Sequence, residues 1–137
     1  MECSRLTITV CSLETRQLLY TLYTQHKVIN GLVLTQDDRF LFSYAIYENT
    51  IGVYDLSQGK ALPPLIGHSD MVRAVAVTQD GQYAISASDD GSVIVWDWRT
   101  PKEAGRLEGH TDWVYDMVLT RDDRRVFSVS QDRTVRV

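Results

Sequence analysis

Apolar residues along this chain fall in short runs broken by Asp, Gly and Asn, and no segment keeps a sustained 3.6-residue apolar period. Runs of this kind, rich in β-branched and aromatic residues and bounded by turn formers, predict strands. Residues 72–77, 83–87 and 92–96 read as three strands, with Asp80-Gly81 and Asp90-Gly91 between them. Asp-Gly is a strong hairpin signal, because Gly accepts the positive φ of a tight turn. Residues 102–107 supply a fourth, weaker strand after the turn at Arg99-Thr100-Pro101. No capping box opens a long helical run. The pattern predicts an all-β chain of short antiparallel strands.

The pattern also repeats. His26, His68 and His110 are spaced 42 residues apart, and so are Tyr54 and Trp96, each followed by Asp (Asp55, Asp97). The second copy runs from Gly67-His68 through Ser86, Asp90 and Trp96-Asp97. The third runs from Gly109-His110 through Ser128 and Asp132. The first is worn: Gln25-His26 replaces Gly-His, and Glu48 stands where Asp90 and Asp132 stand. Its interior slips by one residue near Ile29 and slips back near Tyr47. A partial copy, Thr7 to Ser12, matches Ser92 to Asp97. Fixed-period similarity marks repeat architecture, and four short strands per ~42 residues describes one blade of a β-propeller.

Gly67-His68 followed by Trp96-Asp97, with an in-phase Gly109-His110, resembles the WD40 repeat family, and the resemblance covers residues 6–137. It implies a partial WD40 β-propeller of about three blades of four-stranded antiparallel sheet, open or completed by missing sequence or self-assembly. The expected organisation is the last two strands of one blade over 1–23, a degenerate repeat over 24–65, a well-formed repeat over 66–107 and a truncated repeat over 108–137. The wording of the repeats also resembles the WD-repeat portion of NACHT-and-WD-repeat proteins. A propeller of this period needs roughly 170–340 residues, against 137 here. The expectation is a fragment of a longer protein, or copies that associate through open blade edges.

Composition narrows the class without choosing a function. The chain is 44% apolar and 23% charged, as in ordinary globular proteins. It has no apolar run long enough for a membrane span. Arg5, Glu14 and Arg16 interrupt the first twenty residues, so no signal-peptide pattern is read there. Cys3 and Cys11 have no metal-ligand spacing and read as free thiols of a cytoplasmic protein. Arg121 and Arg124-Arg125 are interleaved with Asp122-Asp123, and the net charge is −4, which argues against nucleic acid. Pro63-Pro64 sits between predicted strands, where a missing N–H does little harm.

His68, Ser86 and Asp90 have the residue types of a hydrolytic triad, and His110, Ser128 and Asp132 repeat them. A serine in mid-strand has neither the exposed perch nor the oxyanion hole that a nucleophile needs. One active site also needs only one triad. The family resemblance implies instead a structural tetrad: Asp90, His68, Ser86 and Trp96 in the second repeat. In the third it is Asp132, His110 and Ser128 without the Trp, and in the first a degraded set of Glu48, His26, Ser43 and Tyr54. The three His fall at equivalent positions of different repeats, so no metal site is expected. The acidic pairs 37–38, 89–90 and 122–123 read as turn residues, and no phosphate-binding glycine loop or other cofactor motif occurs.

The resemblance further implies that partners dock on the face built from the loop before each repeat's first strand and the turn holding the tetrad Asp. The non-structural residues there are Met71, Arg73 and Asp89, then Trp113, Tyr115 and Gln131, then Val28, Asn30 and Tyr47. Interface hot spots favour Trp, Tyr and Arg. The expected function is therefore a protein–protein interaction scaffold that binds a protein or peptide and has no catalytic role. The alternative is an autoinhibitory segment beside a NACHT-type nucleotide-binding domain.

Overall fold

The computed structural model describes residues 6–24 and 26–137. Cys3, Arg5 and Gln25, named above, lie outside the described residues. Thirteen strands follow one another with no helix among the described residues. They are β1 (Thr7–Cys11), β2 (Leu18–Tyr23), β3 (Ile29–Leu34), β4 (Phe40–Ala45), β5 (Thr50–Asp55), β6 (Lys60–Ile66) and β7 (Val72–Val77). The rest are β8 (Ala84–Ser88), β9 (Val93–Asp97), β10 (Lys102–Leu107), β11 (Val114–Leu119), β12 (Val126–Ser130) and β13 (Val135–Arg136). Each strand pairs antiparallel with its sequence neighbour, giving sheets of two (β1–β2), four (β3–β6), four (β7–β10) and three (β11–β13) strands. This is the all-β, partial-propeller architecture that the sequence predicts.

The sheets stack face to face in chain order, each interface holding its own apolar cluster. Ile8 and Leu22 of the first sheet meet Leu41 and Tyr54 of the second. Phe40, Phe42, Ile51 and Val53 meet Val72, Ala84, Ile94 and Trp98 of the third. Ala74, Ile85 and Val93 meet Val114 and Met117 of the fourth. Strands covered on both faces lose the alternation of apolar and polar residues. All five residues of β8 are buried, whereas β11 and β12 alternate because one face of their sheet is uncovered.

Trp98, which the sequence pattern does not single out, lies just past β9 and fastens two sheets together. Its ring centroid is 4.7 Å from that of Phe40 and 5.4 Å from that of Phe42, and its indole nitrogen donates to the Gly81 carbonyl at 3.0 Å. Gly81 has φ 69°, as the predicted Asp-Gly hairpin requires.

The first strand of each full or three-stranded sheet carries the same irregularity. Ile29 pairs with Ala45 and Gly31 with Tyr44; Val72 pairs with Ser88 and Ala74 with Ala87; Val114 pairs with Ser130 and Asp116 with Val129. One residue is therefore left unpaired in each: Asn30, Arg73 and Tyr115. These are β-bulges, which bend a strand and re-aim a side chain.

Candidate functional site

The polar residues of each repeat converge beside the hairpin that joins its second and third strands. In the third sheet the Trp96 indole N–H donates to Ser86 Oγ at 2.8 Å. Ser86 Oγ lies 2.6 Å from His68 Nε2, and His68 Nδ1 lies 2.8 Å from Asp90 Oδ2. The arrangement assigns the tautomer: Nδ1–H donates to the carboxylate, so Nε2 accepts the Ser86 hydroxyl. Burial alone would raise the Asp90 carboxyl, but bonds from His68, the Ser92 hydroxyl and the Ser92 amide outweigh it and hold the group well below its ordinary value. Ser86 has no exposed surface. Its oxygen is taken up by the bonds to the Trp96 and His68 rings.

The fourth sheet repeats three of the links. His110 Nδ1 lies 2.8 Å from Asp132 Oδ2, and His110 Nε2 lies 2.8 Å from Ser128 Oγ. The Thr134 hydroxyl holds the Asp132 carboxyl low; burial opposes this, and His110 adds to it. The second sheet keeps the two ends and not the middle. His26 Nδ1 pairs with Glu48 Oε2 at 2.6 Å, and Ser43 Oγ donates to Tyr54 Oη at 3.2 Å. No bond joins His26 to Ser43 among the described residues. Tyr54 is smaller than the Trp at its place in the next repeat, and a cavity of about 40 Å³ lined by His26, Gly52 and Tyr54 lies beside the pair. Each His thus serves its own sheet's carboxylate, and the three do not meet.

Above these networks lies a rim formed by the bulges and the hairpin turns. The bulge turns Arg73 out of the ladder. Its Nε and Nη2 donate to both carboxylate oxygens of Asp89 at 2.6 and 2.8 Å, the bidentate geometry that guanidinium favours. The same guanidinium lies 5.3 Å from the Trp113 ring centroid and 5.8 Å from that of Tyr115, on the next sheet. The two rings meet edge to face at 6.4 Å, and the Tyr115 hydroxyl donates to Gln131 Oε1. Trp113 and Tyr115 remain 44% and 40% exposed. Five of the residues expected at the docking face therefore form one connected group.

Met71 and Tyr47 adjoin one another on the neighbouring sheets, the Tyr47 amide donating to the Met71 sulphur at 3.1 Å. Asp89 N and Gln131 N donate to Met71 O and Trp113 O, and the corresponding bond in the second sheet is Ile46 N to Val28 O. Ile46 thus takes the place of Asp89 and Gln131 in this geometry. Tyr44 pairs with Ile51 where Ala87 pairs with Val93, so this hairpin holds one residue more. Tyr47 follows Ile46 with φ 64° and is 91% exposed.

The family model described as WD domain, G-beta repeat matches residues 59–97 and 101–137. The chain belongs to the WD40 repeat family. Among its relatives, it is 33% identical to the target of rapamycin complex subunit wat1 of Schizosaccharomyces pombe over 53% of this chain and 23% of that protein. It is 48% identical to the intraflagellar transport protein 122 homolog of Mus musculus over 35% of this chain and 4% of that protein. It is 44% identical to nuclear distribution protein nudF 1 of Talaromyces marneffei over 36% of this chain and 11% of that protein. The chain spans less than a quarter of the length of each relative. These comparisons support WD40 membership and give no support to the narrower resemblance to NACHT-and-WD-repeat proteins. No helix among the described residues is long and apolar enough to cross a membrane.

Proposed function

We propose that this chain is a protein-interaction scaffold whose docking surface is the rim of Arg73, Asp89, Trp113, Tyr115 and Gln131, bordered by Met71 and Tyr47. The observation that carries this reading is the Arg73 bridge. A single bulge residue ties its own sheet's turn carboxylate to two half-exposed rings of the next sheet. Large, partly exposed aromatic side chains held in fixed positions lose little freedom when a partner covers them, which suits them to binding. The relative wat1 is named as a subunit of a complex, and a role as a complex component is in keeping with this reading.

The test compares the unaltered chain with Trp113→Ala and Arg73→Ala. Partners are recovered by affinity capture and identified by mass spectrometry, and thermal unfolding is followed in parallel. A partner lost from both variants, with unfolding midpoints within a few degrees of the unaltered chain, supports the assignment. Unfolding of Trp113→Ala, or retention of every partner by both variants, overturns it.

A further inference from the structure

Resting on that reading, we infer that the rim takes an extended peptide through a lysine or arginine side chain, received by Trp113 and Tyr115 and by the carboxylates beside them.

Two independent observations point to a cation. The first is electronic: the faces of Trp113 and Tyr115 already attract a guanidinium, that of Arg73. Arg73 is itself neutralised by both oxygens of Asp89, so it presents little free charge to an incoming anion. The rings keep open surface on which a second cation can rest.

The second is the state of the neighbouring acids. Asp70 and Asp112 are exposed and pair with no cation among the described residues. In each, one oxygen accepts the amide of the following residue, from Met71 at 2.7 Å and Trp113 at 2.8 Å. That bond fixes the carboxylate, and its other oxygen has no hydrogen-bond partner among the described residues. The adjoining tetrad turns add Glu48, Asp90 and Asp132, each already bonded to its histidine. Aromatic faces flanked by pre-oriented, unpaired carboxylates complement a cationic side chain and repel an anionic one.

The test uses the whole 137-residue chain, labelled with nitrogen-15. Three pools of short capped peptides are titrated, alike except for a central Arg, Leu or Glu. The indole N–H signal of Trp113 is the readout; those of Trp96 and Trp98, buried and bonded to Ser86 and Gly81, serve as controls. The Arg-centred pool is expected to shift the Trp113 signal alone, at lower concentration than the Leu pool, while the Glu pool leaves it unmoved. Asp70→Asn with Asp112→Asn is expected to weaken the Arg pool by about threefold, and added salt to erase the difference, as for exposed charge pairs. A Leu or Glu pool that shifts Trp113 as well as the Arg pool overturns the cationic preference and leaves the docking surface standing. Failure of every pool to move Trp113 overturns both.

Discussion

The Trp96 indole donates to the Ser86 hydroxyl at 2.8 Å, and that hydroxyl in turn reaches His68 at 2.6 Å. One buried oxygen satisfies two ring nitrogens. Ser86→Ala would leave both unpaired; one unmet buried polar group costs ~1–3 kcal/mol, so two cost roughly 2–6 kcal/mol. Chemical denaturation should show a loss in that range. Ser43→Ala in the second sheet removes one bond, to Tyr54, and should cost about half as much. Equal losses would mean that the chain of bonds adds nothing to its single links.

Acid should weaken the fold through the same turns. Asp90, Asp132 and Glu48 are all held below their ordinary values of 3.8, 3.8 and 4.5. A carboxylate lowered in the folded state stabilises it fully above the unfolded value, and loses that contribution as pH falls through the folded one. Stability should therefore be flat in these groups near neutrality and decline as pH drops below about 4.5. Asp90→Asn should be less stable at neutral pH and show a shallower acid decline. Denaturation midpoints across pH 2–7 (a range set by the ~3.9 and ~4.3 of free carboxylates) check this.

Trp98 should matter more to stability than any residue of the docking rim. It is buried against Phe40 and Phe42 across a sheet interface. Trp98→Ala should cost ~3–5 kcal/mol by cavity formation. Trp113→Ala, half-exposed, should cost about 1 kcal/mol or less. Paired urea titrations distinguish the two, and a reversed order would mean that the rim is a packing element.

The uncovered face of the fourth sheet exposes Val118, Phe127, Val129 and Val135. A contiguous apolar patch of this kind favours association. The purified chain is expected to self-associate as concentration rises, and Val129→Lys with Val135→Lys to suppress it. Light scattering on a sizing column measures both; a monomer at every concentration would dismiss the expectation.

The strands were legible because their causes are local: hairpin turns need Asp and Gly, and strands need short apolar runs. The polar networks were legible only through the family resemblance, which implied Ser86, His68, Asp90 and Trp96 as one set. The slip near Ile29 and Tyr47 was also visible, as a break in the repeat spacing. What it did physically was not: whether Ile46 or Tyr47 stands opposite Asp89 depends on a backbone hydrogen bond, Ile46 N to Val28 O, which leaves no trace in residue type. Trp98 carries no local mark in the sequence because its partners, Phe40 and Gly81, belong to other hairpins. The Arg73 bridge carries none for the same reason: Asp89 is one hairpin away, but Trp113 and Tyr115 reach it only when two sheets stack.

The bulges carry a consequence for how this surface can change. Asn30, Arg73 and Tyr115 sit where the ladder has no register to keep, so their backbones have no paired residue on the adjoining strand. Their neighbours Ile29, Val72 and Val114 stay apolar while these three differ in size, charge and polarity. With the rim as the proposed docking surface, specificity is separate from strand pairing: a lineage, or a designer, can rewrite the rim one bulge at a time and leave the ladder beneath it untouched.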